Sequence, residues 1–220
     1  MENNSYLKKL IIKILKSIIG YLIISMGNAL MIYADLGLNS WGILHQGISI
    51  QTPLSFGQAL QLLGATIIVI CIMFGNIPGI GTMLNMYFVG VFTDFFKDAG
   101  FFSTPGSLPG KFAMLLISVL LIDFGMFIYL RESIGAGPKD GLMLILTQRS
   151  GKDLGLIRTC MELTAVLFGY LLGGKFGIGT IIAAIILGPI LRTMFKIFNY
   201  NPGENRHENV FETFRRLKHN

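Results

Sequence analysis

The sequence predicts an all-α, polytopic integral membrane protein with about six transmembrane helices and two short re-entrant half-helices, arranged as two inverted repeats. Three observations carry that reading. Of 220 residues, 52% are hydrophobic and 14% charged, where a soluble domain carries about a quarter charged residues. The apolar residues fall in runs long enough to cross roughly 30 Å of hydrocarbon. A glycine pattern recurs at one fixed spacing along the chain.

The runs lie at about 14–34, 56–74, 80–96, 112–130, 154–173 and 178–198. Backbone polar groups stay paired in lipid, so each run is read as a helix. Lys8, Lys9, Lys13 and Lys16 precede the first run in the manner of a signal peptide. The apolar stretch continues to about Tyr33 with no small-residue cleavage site, which predicts a retained first helix. Ser40–Gln51 and Pro138–Arg149 are apolar but only about a dozen residues long, the length of re-entrant or interfacial half-helices. Residues 98–111 are rich in Gly and Pro and read as the linker between a first repeat, 1–97, and a second, 112–200. Residues 201–220 form a polar tail, whose 208–218 segment suits a short basic amphipathic helix on the membrane surface.

The repeat is gap-free. Gly27 and Gly125 stand 98 apart (125 − 27), as do Gly37 and Gly135, Gly57 and Gly155, Gly75 and Gly173, and Gly90 and Gly188. The run Gly79-Ile80-Gly81-Thr82 returns in the same register as Gly177-Ile178-Gly179-Thr180. Seven glycine pairs in one register indicate duplication. Three crossings per unit invert the second copy relative to the first. With the N-terminus cytoplasmic, 15 Lys and Arg face in and only Lys97, Lys111 and Lys175 face out. Eight crossings give the same balance, so segment length decides for six. Both termini are then expected in the cytoplasm.

Composition also excludes. The net charge of +6 sits in loops and tails beside apolar runs, which is topology charge and predicts no nucleic-acid partner. Cys71 and Cys160 lie inside apolar runs without metal-ligand spacing, so neither a metal nor another cofactor is expected. GxSxG, HExxH and an ATP-binding loop are lacking, so no enzyme activity is expected.

Ionisable groups inside spans are costly and usually functional. Asp123, mid-run, is a candidate proton or cation site. Arg158 and Glu162 share one helix face and are expected to join Asp140, with Arg158–Asp140 as the contact. His45 and Gln46 lie on the first short helix, and Asn85 faces the bundle as a candidate helix–helix bond. The short helices begin at Gly-rich breaks: Gly37, Ser40 and Trp41 in the first half, Gly135, Gly137 and Pro138 in the second. Helix N-termini at membrane depth favour an anionic or carbonyl ligand. Matching breaks in two inverted halves point to a transport site.

The expected function is therefore a small-solute transporter or permease with its site between the breaks. The alternative is a membrane-embedded binding or regulatory subunit acting with a partner protein, as the substrate-capturing subunits of vitamin importers do. The lipid bilayer and an unknown small solute are the expected partners, with a protein partner or homo-oligomer also open.

Residues 37–47, with Trp41, His45, Gln46 and Gly47, resemble the pattern G-x-G/S-P-W-D-x-L-H-Q-G. Residues 135–143, with Gly135, Gly137, Pro138, Asp140 and Gly141, resemble G-A-G-P-R/K-D-G-L-M. With Arg158-x3-Glu162 and the two Gly-Ile-Gly-Thr turns, they are similar to the YczE/YitT-type family of bacterial integral membrane proteins over about residues 20–195. The resemblance implies a bacterial plasma-membrane protein and supplies no substrate. The chain departs from the pattern at Ser40, where the family has Pro, and at Gly42, where it has Asp; the first half lacks the acid that Asp140 gives the second.

Overall fold

The structure, a computed structural model, describes residues 2–200 and 207–219. Among them there are helices, turns and no strand. The helices are α1 (Glu2–Ala34), α2 (Ser40–Gln51), α3 (Phe56–Met73), α4 (Ile80–Asp98), α5 (Leu108–Arg131), α6 (Pro138–Ser150), α7 (Leu154–Leu171), α8 (Ile178–Ile197) and α9 (Val210–His219).

Caps set most boundaries. The Asn39 side chain accepts from the Gly42 amide at 2.8 Å and starts α2. Ser55 and Gln58 form a reciprocal box at the start of α3, and the Asp153 carboxylate accepts from Gly155 and Leu156 to start α7. Gly151, at φ 64°, ends α6 in the left-handed conformation that glycine adopts at little cost. The linker is shorter than its Gly and Pro content predicts. Ser107 caps α5 and Pro109 sits in its first turn, where the missing amide is harmless, so α5 begins at Leu108.

α1, α3, α5, α7 and α8 are long and apolar enough to cross a membrane. α4 has 19 residues but carries Asp94, Lys97 and Asp98, and it runs packed against α1 and α3. Contacts at the helix ends fix the course of the chain. On the N-terminal face, Lys16 meets Glu132 after α5, Arg149 at the end of α6 lies over the Phe74 ring after α3, and Tyr200 after α8 donates to the Leu130 carbonyl. On the opposite face, Tyr33 at the end of α1 donates to Lys97 O, and Lys111 and Lys175 both pair with Asp35. α1, α4 and α7 therefore run one way, and α3, α5 and α8 the other. α2 leaves and regains the opposite face, where Gln51 donates to Leu172 O; α6 leaves and regains the N-terminal face. At 12 and 13 residues, each rises only about 20 Å.

The halves interlock. α2 packs on α7, α6 packs on α3, and α1 and α5 form the central pair. Glycines let these helices close: a Cβ at Gly20 would stand 2.8 Å from Gly125 O, and one at Gly47 2.6 Å from Gly169 O. α7 and α8 are the outer elements, with 11% and 17% of their apolar windows buried against 39–44% for α1, α3 and α5. Of the tail, 201–206 lie outside the described residues. α9 is helical with Phe211 and Phe214 exposed, and it is tied to the N-terminal face by Val210 N to Pro78 O and Glu208 N to Ser133 O.

Candidate functional site

The two helix breaks are built by exchange between halves. The Gly81 amide donates to Ile134 O at 2.9 Å, and 98 residues later in both partners (179 − 81, and 134 − 36) the Gly179 amide donates to Leu36 O at 2.7 Å. Gly37, at φ +107°, lies against Gly177 and Thr180; Gly135, at φ +143°, lies against Gly79 and Thr82. Each Gly-Ile-Gly-Thr turn thus seats the break of the other half. A side chain at Gly37 or Gly135 would meet backbone atoms within 2.7 Å, so only glycine fits both the dihedral and the space.

This seating brings the starts of α2 and α6 to one cavity of ≈ 150 Å³. Asn39, Trp41 and His45 enter it from the first break, Gly137, Pro138 and Lys139 from the second, and Asn28, Asn85 and Tyr129 from the long helices. The wall between them is apolar, including Phe56, Leu60, Ile67, Val89 and Ile122. Gly137 caps α6 without a side-chain acceptor; Pro138 has no amide hydrogen and the Asp140 amide bonds back to Gly137 O at 3.0 Å, so the Lys139 amide is the donor that the turn leaves uncapped. Lys139 forms no ion pair among the described residues. His45 stacks edge-on to Phe56 with ring centroids 5.7 Å apart. Trp41 Nε1 donates to Glu162 Oε1 at 3.3 Å and locks α2 to α7.

The candidate residues divide. His45, Trp41, Asn85, Gly137 and Pro138 line the cavity. Gln46 does not; its Oε1 accepts from the Lys175 amide at 2.6 Å and holds the α7–α8 turn. Ser40 is buried at the start of α2. Asp123 is 1% exposed on α5, one residue from the cavity wall, and its Oδ2 has no hydrogen-bond partner among the described residues. The expected Arg158–Asp140 contact is not formed. Asp140 turns back on its own helix start, where its carboxylate suits the dipole and lies 3.2 Å from a Cβ position on Gly137. Arg158 is exposed and opens on a separate cleft between α7 and α8. Glu162, the intended third member, is engaged by Trp41. Asn28, Lys139 and Tyr129 belong to the cavity although the sequence does not single them out as site residues, and Asn39, legible only as a helix start, lines it too. For Lys139 a signal existed: it is the second residue of a short helix that begins at a Gly-rich break. Among the described residues no cluster of His, Cys, Asp and Glu could hold a metal ion.

Residues 11–196 match a family of unknown function, DUF6198. The chain belongs to the DUF6198 family. It is 35% identical over 177 residues to the uncharacterized membrane protein YczE of Bacillus subtilis (strain 168), covering 79% of this chain and 80% of that one. An uncharacterized protein of Haemophilus influenzae is 31% identical over 175 residues, with 80% and 79% covered. Uncharacterized protein YyaS of Bacillus subtilis is 27% identical over 185 residues, with 81% and 90% covered. No solved structure matches the chain. The DUF6198 match spans both helix breaks and both Gly-Ile-Gly-Thr turns, so the cavity lies wholly within the family's extent.

Proposed function

We propose that this membrane protein is a transporter for a small anionic solute, bound between the starts of α2 and α6. One observation carries the reading: two half-helices from opposite halves point their N-termini into one cavity that also holds an unpaired Lys139. The two converging dipole ends favour negative charge; Asn39 caps the Gly42 amide of α2 and Asp140 sits in the first turn of α6, so Lys139 is the group left to set the sign. Lys139, which forms no ion pair among the described residues and whose charge also reaches the buried Asp123, adds to that preference. The apolar remainder of the wall suits a short organic acid better than a hydrated inorganic ion. Broken helices at matching positions of inverted halves place such sites in transporters. Asp123, buried beside the wall with a carboxylate oxygen that has no hydrogen-bond partner among the described residues, is the group for a coupling proton or cation.

The test is uptake by purified protein in liposomes, using labelled acetate, lactate and succinate under an imposed pH gradient. Uptake above empty liposomes that is lost in Lys139→Met and in Asp123→Asn supports the reading. Absence of uptake for all three acids, with a stoichiometric protein co-purifying from membranes, would replace it with the partner-dependent binding subunit.

A further inference from the structure

The second cleft lies on the N-terminal face, between α7 and α8, with a volume of ≈ 750 Å³. Arg158 lines it from α7, Arg192 and Lys196 from α8, and Asn199 and Tyr200 close its end. It contains no Asp or Glu among its lining residues, and its three cations form no ion pair among the described residues. On this face Lys16 meets Glu132, Arg216 meets Glu208 and Arg149 lies over Phe74, while Lys8, Lys9, Lys13, Arg131 and Lys152 form no ion pair among the described residues; what sets the three cleft cations apart is that they converge on one cleft. Ordinary topology charge is scattered in water. Here three cations share one concave wall with Leu191 and Phe195.

The first half shows that the opening is particular to this pair of helices. There α3 and α4 are closed: Gly57 abuts the Gly90 carbonyl, and Asp94 accepts from the Gly57 amide at 2.8 Å. The equivalent glycines are Gly155 and Gly188, yet a Cβ at Gly188 would meet nothing within 4 Å. Arg192 occupies the place of Asp94 (192 − 94 = 98). The closed pair thus carries an acid that caps its neighbour, and the open pair carries a base that faces a gap.

We propose that this cleft binds the phosphate of an anionic phospholipid headgroup, with Arg158, Arg192 and Lys196 as its ligands. Arginine presents a planar fork that matches phosphate oxygens, and lysine adds a point charge. Basic pockets between transmembrane helices are where anionic headgroups lodge. The flanking surface is fit for acyl chains: Leu156, Leu163 and Leu167 of α7 and Ile181 and Ile185 of α8 are all exposed. The cleft shares no lining residue with the central cavity.

The experiment is native mass spectrometry of the full chain, released from detergent after titration with phosphatidylglycerol or phosphatidylcholine. Preferential phosphatidylglycerol adducts, weakened about fivefold by Arg192→Gln and by Lys196→Gln, are expected from about one phosphate contact each. Arg215→Gln, the same charge change on α9, leaves them unchanged. Equal retention of the two lipids, or equal loss in Arg215→Gln, overturns the site. So does protection of the cleft by inorganic phosphate that phosphatidylglycerol fails to displace, since the ligand would then be a soluble anion. Each variant is read only on the monodisperse fraction, and Arg158→Gln is the replacement if one of the two α8 variants fails to fold.

Discussion

The amide of Gly179 donates to the carbonyl of Leu36 at 2.7 Å, and Gly81 repeats the bond to Ile134 at 2.9 Å. These two bonds seat the loops that lead into the half-helices, and they make each half depend on the other for its break. Isolated halves would leave the carbonyls of Leu36 and Ile134 without these partners, at a net cost of about 1 kcal/mol each.

Gly37→Ala tests the seat directly. The substitution meets a left-handed dihedral and a backbone nitrogen of Gly177 at 2.6 Å. Strain and overpacking together should cost about 2–4 kcal/mol. Gly100→Ala meets a similar dihedral, φ +70°, with nothing within 4 Å, and isolates the strain alone at about 1 kcal/mol. Melting of the detergent-purified protein should show the larger loss at Gly37; equal losses would mean that the seat carries no load.

Much of this fold was legible because glycine and capping residues punctuate it. α2 and α6 begin where the breaks predict, at Ser40 and Pro138, and α3 and α7 at Phe56 and Leu154. The start of α5 was hidden because Pro and Gly signal a linker unless Ser107 is recognised as a cap. At the site, a helical face says which residues share a side but not which neighbour they meet. Arg158 and Glu162 do share α7, yet one faces a cleft and the other Trp41. The break marks where Lys139 stands on α6, but which cavity that helix start reaches is not encoded in a charge pattern. The separation of α7 from α8 was illegible for a stronger reason: the glycine register is the same in both halves.

Asp35 ties three elements on the opposite face, pairing with Lys111 at the start of α5 and with Lys175 in the α7–α8 turn. Its left-handed backbone, φ 56°, is one that Asn also adopts. Asp35→Asn therefore keeps the turn and removes both ion pairs. Hydrogen bonds from the two lysines hold the Asp35 carboxyl below its ordinary range. A lowered folded value means that the contribution is present above about pH 4, the unfolded value, and is lost as pH falls through the folded one. The wild type should consequently melt at a constant margin above Asp35→Asn from pH 8 to pH 5, with the margin closing below pH 4. A margin that closes between pH 8 and 6 would assign the effect to another group.

Orientation follows from the face on which Glu132 lies. In a Cys71→Ser, Cys160→Ser background, Glu132→Cys should resist an impermeant maleimide in intact cells and react after lysis. Gly106→Cys, in the exposed turn between α4 and α5, should react in intact cells. The reverse pattern would invert the whole chain, carrying the cleft cations to the outer leaflet.

The contrast between the two glycine pairs yields the sharpest prediction. Gly90 is closed against Gly57 and Gln61, so Gly90→Ala should cost about 1–3 kcal/mol by overpacking. Gly188 faces open space, so Gly188→Ala should be neutral or gain a few tenths of a kcal/mol from helix propensity. If the proposed transport works by exchange of conformations between the two halves, the open pair closes as the closed pair opens. On that reading, α7 and α8 meet at Gly155 and Gly188 in the alternate state, as α3 and α4 meet now. Gly188→Leu then leaves the melting temperature of the present state intact and arrests uptake, because the larger side chain holds the cleft apart. Uptake at the wild-type rate in Gly188→Leu would show that the cleft never closes. Its glycine register would then be inherited from the duplication without use.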